Sequence, residues 1–107
     1  MVKQLLIYKT ATGMAPYRSY LDSLGDRRGA AKISIRVTRA QMGNFGDHRS
    51  VGQGVIELRI HFGPGYRVYM APCGNEIIVL LCAGDKSTQD RDIVNAHGYW
   101  EEYKRTL

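Results

Sequence analysis

The amino-acid sequence predicts an α+β domain: a mostly antiparallel β-sheet with two N-terminal helices and one C-terminal helix packed on it. Residues 54–69 alternate between apolar and polar side chains on either side of a glycine-rich turn, which is typical of a β-hairpin. Residues 77–83 form an unbroken apolar run, as in a strand buried on both faces. Apolar residues recur at helical spacing in two segments before the hairpin and in one after it. This order of elements indicates the α+β class.

The first strand and the first helix are predicted within the N-terminal quarter of the chain. Residues 2–9 have the apolar pattern of a strand, and Thr12 and Gly13 then interrupt it. Pro16 is compatible only with the first turn of a helix. Glycine often follows a helix end, so the helix is expected to stop at Gly25. Its apolar positions are Met14, Tyr17, Leu21 and Leu24.

A second helix is predicted from Asp26, which can cap its N-terminus, to Met42. It is followed by a loop at residues 43–47 and by a short strand or extended segment at residues 48–52. The helix has an apolar stripe of Ala30, Ile33, Val37 and Ala40, and a basic stripe of Arg28, Lys32, Arg36 and Arg39. The basic stripe is either a solvated helix face or a surface for RNA phosphates. On the second interpretation, the RNA-binding residues are Lys32, Arg36 and Arg39.

The hairpin is predicted to group four functional side chains on one exposed face of the sheet. Side chains along a strand point to opposite faces in turn. With a turn at residues 63–65, His61 lies opposite Arg67, and Arg59 lies opposite Tyr69. The apolar pairs in this register are Phe62–Tyr66, Ile60–Val68 and Leu58–Met70.

The C-terminal part is predicted to contain one buried strand and one helix. A turn at residues 72–75 precedes the strand at residues 77–83, which residues 84–86 end. Ser87 is expected to cap the last helix, with Asp90 in the position of a capping box. The buried side of this helix is formed by Ile93, Ala96, Trp100 and Tyr103.

The composition predicts one compact domain with a basic surface. The chain has 107 residues, of which 44% are hydrophobic, enough for a single domain over residues 1–107 with a buried core. Its 15 lysines and arginines exceed its 10 acidic residues, giving a net charge of +5. This balance favours a polyanionic partner, either nucleic acid or an acidic protein, although solubility alone would also explain it.

Neither a membrane nor a metal is an expected partner. No apolar run approaches the ~20 residues that span a bilayer. The N-terminus is too short and polar for a signal peptide, so the cytoplasm is the expected location. Cys73 and Cys82 lack metal-ligand spacing and would stay reduced there. The histidines also lack ligand spacing, so no metal or other cofactor is expected: His48, His61 and His97.

Two long strings resemble the RelE/ParE toxin superfamily, most of all its HigB-like branch, the addiction module killer proteins. The first is G-V-x-E-L-R-I-H-F-G-P-G-Y-R-V-Y, which begins at Gly54. The second is I-V-L-L-x-x-G-D-K-S-T-Q, which ends at Gln89. The loop GNFGD at residues 43–47 fits the same branch. The resemblance covers nearly the whole chain and implies a RelE-like fold.

The resemblance also implies a function: the toxin of a type II toxin–antitoxin system, neutralised by a cognate antitoxin encoded beside it, often a helix-turn-helix protein. RelE- and HigB-like members cleave mRNA, usually on the ribosome, and so inhibit translation. The family's site residues correspond to Arg67 in the Y-R-V motif, Arg59 in the preceding strand and Lys86 after the last strand. A tyrosine near the C-terminus often joins them, and Tyr99 or Tyr103 could serve.

These residues suit metal-independent cleavage, in which the ribose 2′-OH attacks the adjacent phosphate. The charge on the phosphorane can be stabilised by Arg59, Arg67 and Lys86. His61 ordinarily titrates near neutral pH and is the candidate proton shuttle. Tyr69 could stack on a base or donate a proton. Gln89, beside Lys86, is a further candidate RNA contact.

Each candidate also has a purely structural interpretation. Arg59 could form a surface ion pair with Glu57 or another acid. His61 and Lys86 could simply be solvated, Tyr69 could only pack the sheet, and Gln89 could only begin a helix. Two alternative functions stay open as well: a ParE-like toxin that inhibits DNA gyrase without cutting RNA, and an inactive relative that binds RNA.

Overall fold

The computed structural model describes residues 2–107, which form a five-stranded mixed β-sheet and three α-helices. The sheet order is β1-β5-β4-β3-β2; the β1–β5 pair is parallel and the other three pairs are antiparallel. The predicted α+β class, with two N-terminal helices and one C-terminal helix, is confirmed. The elements are β1 (Gln4–Ile7), α1 (Pro16–Ser23), α2 (Arg27–Gln41), β2 (His48–Ser50), β3 (Ile56–Ile60), β4 (Tyr66–Cys73), β5 (Ile77–Asp85), a 3-10 turn (Lys86–Thr88) and α3 (Gln89–Lys104).

Helices cover both faces of the sheet. On the first face, α1 and α2 pack on the even-numbered apolar residues of the hairpin, such as Leu58 and Val68. On the second face, Ala96 and Trp100 of α3 pack against Tyr69 and its neighbours. The expectation that this second face is exposed is therefore wrong where α3 crosses it, since Tyr69 is fully buried. Within the described chain, no helix is both long and apolar enough to cross a bilayer.

The hairpin register differs by two residues from the predicted one. Arg59 lies opposite Arg67, and Glu57 lies opposite Tyr69. A shift of two residues keeps every side chain on its face, so the apolar alternation cannot distinguish the two registers. The predicted pairing of Arg59 with Tyr69 is therefore wrong, and so is that of His61 with Arg67.

The register shift comes from a longer turn than the sequence predicts. The connection spans residues 61–65, where the Phe62 amide donates to the Ile60 carbonyl and the Gly65 amide donates to the Phe62 carbonyl. Gly63 and Gly65 both have positive φ, a conformation that glycine adopts without steric cost. His61 thus belongs to the turn rather than to the strand.

The helix starts are predicted correctly in one case and wrongly in the other. Asp26 caps α2 as expected, because its carboxylate accepts a hydrogen bond of 2.9 Å from the Gly29 amide. Ser87 does not cap α3. Asp85 instead forms a capping box with Thr88 around the 3-10 turn, and α3 begins after it. The predicted capping-box role of Asp90 is wrong for the same reason.

Two strands differ in length from their predictions. The first strand is shorter than residues 2–9 and covers Gln4–Ile7. In contrast, β4 continues through Pro72, which was predicted to lie in a turn and instead pairs with Ile78 of β5. Beyond Met70, β4 is paired on one side only, and proline is tolerated at such an edge.

Candidate functional site

The four predicted catalytic residues lie at one end of the sheet, where β3 turns into β4 and β5 ends. Arg59 in β3 is directly opposite Arg67 in β4. A Cβ atom placed on Gly65 would lie 3.7 Å from both Arg67 Nη1 and Lys86 Cβ, so these two cations flank the same glycine. His61 is the first residue after β3. The fold therefore brings all four positions to one region of the surface.

Asp47 joins two of these side chains. Its Oδ1 accepts a hydrogen bond of 2.8 Å from Arg59 Nη2, and its Oδ2 is 2.5 Å from His61 Nε2. The hydrogen bonds with His61 and Arg59 hold the pKa of Asp47 below its usual range, so the carboxylate is ionised and accepts a hydrogen bond from His61 Nε2–H. In the tautomer of His61 that donates through Nε2, Nδ1 is left as an acceptor.

Asp47 is a residue that sequence reasoning missed. It lies 14 positions before His61 and was predicted only as part of a loop. The acid that pairs with Arg59 is thus Asp47 rather than Glu57. A signal was present in the sequence, because Asp47 ends the GNFGD string that carries part of the family resemblance.

A second missed residue is Glu57, whose carboxylate is 0% exposed. Its Oε1 accepts from Arg49 Nε at 2.8 Å, and its Oε2 accepts from the Tyr69 hydroxyl at 2.8 Å and from Gln89 Nε2 at 3.0 Å. Burial opposes ionisation of Glu57, but the hydrogen bonds from Arg49, Gln89 and Tyr69 outweigh it and lower its pKa. The buried group is therefore a carboxylate anion.

Two residues that were predicted to contact RNA instead form hydrogen bonds with Glu57. Tyr69 is buried, and burial together with its hydrogen bond to Glu57 raises the pKa of its hydroxyl. The predicted exposure of Tyr69 is wrong, and its ring has no free face for a base. Gln89 is partly exposed, but its amide is held by Glu57.

Arg67 lies beside the Glu57 carboxylate and has unused hydrogen-bonding capacity. Its side chain is 11% exposed, and its Nε is 3.8 Å from Glu57 Oε2, beyond hydrogen-bonding distance. The Nε atoms of Arg59 and Arg67 are both buried and have no hydrogen-bond partner among residues 2–107. Like charges opposite each other in a sheet repel. Asp47 pairs with Arg59 and the Glu57 carboxylate lies beside Arg67, so part of this repulsion is balanced, and an anion at this end of the sheet would supply further acceptors.

Lys86 lines a polar cavity at the start of α3. The residues from Lys86 to Arg91 line a cavity of about 420 Å³, and the Lys86 side chain is exposed. The first residues of α3 line this cavity, and their backbone N–H groups add partial positive charge, which Asp90 in the same lining partly offsets. The cavity adjoins Arg67 through Gly65. This end of the sheet is therefore suited to a negatively charged ligand.

In the predicted basic stripe on α2, Arg36 forms hydrogen bonds within the protein, whereas Lys32 and Arg39 are exposed to solvent. Arg36 donates to the carbonyl oxygens of Arg59, Phe45 and Asp47 at 2.6, 2.8 and 2.9 Å. Burial lowers the pKa of Arg36. Its guanidinium therefore fastens the loop before β2, and the expectation of a free phosphate ligand is wrong for this residue. Lys32 and Arg39 are exposed.

The two C-terminal tyrosines lie far from this region. Tyr99 stacks on Tyr8 at 5.0 Å between ring centroids, and Tyr103 stacks on Trp100 at 5.8 Å. Tyr99 follows Gln89 by ten residues of one helix, a separation of about 15 Å along its axis. Neither tyrosine is positioned to act beside Arg67. Across residues 2–107, no group of three His, Cys, Asp or Glu side chains could hold a metal ion.

Comparison with known proteins identifies one family relationship. No model of a known protein family matches the chain. The chain is similar to an uncharacterized protein from Haemophilus influenzae, with 51% identity over 80 residues. The matched region covers 75% of this chain and 81% of the Haemophilus protein. Identity at this level over most of both chains shows common descent, and the chain belongs to the same family as this Haemophilus influenzae protein.

Proposed function

We propose that the chain has a RelE-like fold and is the toxin of a type II toxin–antitoxin system. In this proposal it is an endoribonuclease that cleaves mRNA on the ribosome and so inhibits translation. The observation that carries the proposal is the opposed pair Arg59 and Arg67, whose Nε donors are buried and unpartnered within the described residues. Guanidiniums bind phosphate in a bidentate manner, so the pair suits a phosphodiester.

The proposed reaction needs no metal. His61 Nδ1 accepts the proton of the ribose 2′-OH while O2′ forms a bond to phosphorus. The bond from phosphorus to O5′ breaks, and the 5′-oxygen takes a proton from water. The hydroxide that remains takes the proton held by His61, and the products are a 2′,3′-cyclic phosphate and a 5′-OH end. Asp47 holds the His61 ring through Nε2 and stabilises its protonated form. Arg67 and Lys86 stabilise the extra negative charge of the phosphorane.

The surrounding residues have supporting roles in this proposal. Glu57 positions Arg67 and Gln89, and Arg36 positions the loop that carries Asp47. Lys32 and Arg39 contact the RNA beyond the reacting phosphate. The proposed partners are mRNA, the ribosome and a cognate antitoxin, which we expect to be a helix-turn-helix protein encoded next to this chain. The proposed site of action is the cytoplasm, where translation takes place.

Inducible expression with mapping of RNA 5′ ends tests the proposal. The wild-type chain should arrest growth and create new 5′-OH ends within mRNA. His61→Ala should lower the cleavage rate about 100-fold or more, because a general base is lost. Its side chain is 76% exposed, so the variant should fold normally. Arg67→Ala should also lower the cleavage rate about 100-fold, because it removes a charge that stabilises the phosphorane. Arg18→Ala, a change at an exposed position on α1, is the control and should leave the rate unchanged.

Two other results would each replace the proposal by an alternative. Growth arrest with intact mRNA and altered DNA supercoiling would indicate a ParE-like toxin that acts on gyrase. No arrest, together with measurable RNA binding, would indicate a relative that binds RNA without cleaving it. Retained cleavage in a folded His61→Ala variant would contradict the assigned proton acceptor.

A further inference from the structure

A second cavity, of about 250 Å³, lies where the sheet leaves part of one strand edge uncovered. The parallel strand β1 pairs with β5 only as far as Leu80, whereas β5 continues to Asp85. Cys82 and Ala83, which line the cavity, therefore have β4 on one side and no strand on the other. Side chains of α1 and α3 line the rest of it. The cavity shares no lining residue with the one that begins at Lys86.

Among the described residues that line this cavity, only Asp92 of α3 is charged. Its side chain is 9% exposed, and its Oδ2 accepts a hydrogen bond of 2.5 Å from the Thr88 hydroxyl. Its Oδ1 has no hydrogen-bond donor within residues 2–107, because Arg91 Nε is 3.8 Å away, beyond hydrogen-bonding distance. The Arg91 side chain is also 71% exposed and lies outside the lining. One oxygen of a nearly buried carboxyl is thus an acceptor without a partner.

The electrostatic environment of the cavity favours a cation, although the chain as a whole has a net charge of +5. Burial raises the pKa of the Asp92 carboxyl, and the Thr88 hydrogen bond and the Arg91 charge do not offset this effect. The Tyr20 hydroxyl lines the same cavity, and its pKa is raised to about 12 by burial and then by the charges of Asp85 and Asp92. A cation bound here would favour the ionised form of Asp92.

The neutral residues of the lining suit an amine with a short carbon chain. An ammonium group has three N–H donors, and Asp92 Oδ1 can accept from only part of them. Further acceptors are the side-chain oxygens of Asn95 and Ser19. Apolar and aromatic surface is supplied by Met14 and Tyr99, and aromatic faces also attract cations. At about 30 Å³ for a water-sized group, the volume corresponds to roughly eight non-hydrogen atoms.

We propose that this cavity binds a small primary amine as its ammonium cation, with the Asp92 carboxylate as the counterion. A guanidinium suits the site less well, because its planar fork pairs best with two carboxylate oxygens and Thr88 already occupies Oδ2. The inference goes beyond the proposed nuclease function and does not depend on it, because no residue assigned to RNA lies in the lining.

Titration of the full chain with small probes, followed by amide NMR shifts at neutral pH and constant ionic strength, tests the inference. The probes are n-butylammonium chloride, n-butanol, sodium butyrate, ammonium chloride and n-butylguanidinium chloride. The n-butylammonium ion should cause saturable shifts of residues 14–23, 82–83 and 92–99. Its Kd should be about tenfold or more below those of n-butanol, butyrate and ammonium, because it alone of these four combines the cation with the carbon chain.

Asp92→Asn should weaken n-butylammonium binding about tenfold or more, because it removes the counterion and keeps the shape of the side chain. Asp22→Asn removes an exposed carboxylate of α1 outside the lining and is the matched control, so its Kd should equal that of the wild type. Ser19→Lys, at an exposed position of α1, is a second variant that does not alter Asp92. It should abolish binding, because the new side chain places its own ammonium group in the cavity.

Several results would overturn the inference. Equal binding of n-butanol would indicate an apolar crevice that does not recognise charge, and equal binding of ammonium chloride would indicate a site for an inorganic ion. Tighter binding of n-butylguanidinium than of n-butylammonium would contradict the single free oxygen of Asp92. An unchanged Kd in a folded Asp92→Asn variant would exclude Asp92 as the counterion, and the absence of saturable shifts would exclude the site.

Discussion

The Glu57 carboxylate is completely buried, yet it stays ionised because donors from three separate elements converge on it. Arg49 comes from β2, Tyr69 from β4 and Gln89 from the start of α3. A buried charge is costly unless hydrogen bonds compensate for it, and here each oxygen has at least one donor. Glu57 therefore ties the strand that carries Arg67 to the helix that follows Lys86.

We predict that Glu57→Ala lowers the free energy of unfolding by about 3 kcal/mol, because it leaves buried donors unsatisfied and removes the charge that balances Arg67. Urea denaturation at neutral pH measures the change. Glu102→Ala is the matched control, since it removes an exposed carboxylate paired with Arg105 and should change stability by less than about 0.5 kcal/mol. Equal effects of the two substitutions would contradict a structural role for the buried network.

The lowered pKa of Glu57 also predicts a dependence of stability on pH. A carboxyl with a lowered pKa in the folded state stabilises the protein above its unfolded pKa, ordinarily 4.5. This contribution is lost as the pH falls from that value through the folded pKa. The stability difference between wild type and Glu57→Gln should therefore shrink below about pH 4.5 in urea titrations. A difference that stays constant from neutral pH into the acid range would show that Glu57 is not ionised.

Among the elements, α3 depends on a glycine in β5 for its position. Gly84 pairs with Arg67 in the neighbouring strand, on the edge of the proposed site. A Cβ atom at Gly84 would overlap the Asp92 carboxylate and lie 2.8 Å from Thr88 Oγ1. The absence of a side chain at Gly84 is thus what allows the first turns of α3 to approach β5 so closely.

We predict that Gly84→Ala destabilises the fold by about 1–3 kcal/mol, because α3 must move away from the sheet. Because Gly84 pairs with Arg67, the same variant should also lower the rate of the RNA cleavage proposed above. Gly98→Ala is the control within α3: an added Cβ meets no atom within 4 Å, and alanine favours a helix over glycine. It should be neutral or stabilise the fold by up to about 1 kcal/mol, again measured by urea denaturation. Similar stabilities of the two variants would contradict the close contact at Gly84.

A second element, the loop before β2, is held by α2. Arg36 donates to the Phe45 and Asp47 carbonyl groups of this loop and to the Arg59 carbonyl of β3. A Cβ at Gly46 would lie 2.8 Å from the Arg36 guanidinium, so a side chain here would displace that guanidinium from its carbonyl partners. The loop is fixed by these contacts, which explains how Asp47 reaches both Arg59 and His61.

For the molecule as a whole, the net charge is +5, which favours binding of a polyanion such as the RNA of the proposed function. If Lys32, Arg39, Arg67 and Lys86 each contact a phosphate, binding of single-stranded RNA neutralises four phosphates and releases about 2.8 counterions. The logarithm of the binding constant should then fall with the logarithm of salt concentration with a slope of about −3. Between about 50 and 200 mM salt, the affinity should drop roughly 50-fold.

Fluorescence anisotropy with a labelled 2′-O-methyl RNA measures this dependence without cleavage. The double substitution of Lys32 and Arg39 by glutamine should reduce the slope by about 1.4. Substitution of Arg18 by glutamine, on an exposed part of α1, should leave the slope unchanged. An affinity that does not respond to salt would contradict phosphate binding by these cations.

Much of the fold could be predicted from local patterns in the sequence. The alternation in residues 54–62, the helical stripes of α2 and the apolar run of β5 each depend on residues close together in the chain. The same is true of the Asp26 cap, because Asp26 lies only three residues before Gly29, whose amide donates the hydrogen bond to its carboxylate. Such features require no knowledge of distant parts of the molecule, which explains why they could be predicted.

The sequence by itself determined the α+β class, the faces of the hairpin and the presence of Arg59, His61, Arg67 and Lys86 at one end of the sheet. Only the tertiary structure decided the hairpin register, the burial of Tyr69 beneath α3, and the partners of Asp47 and Glu57. The contact of Glu57 with Gln89 joins residues 32 positions apart. Periodicity specifies which face a side chain takes, whereas its partner depends on loop lengths and on how distant elements pack, and no local pattern contains that information.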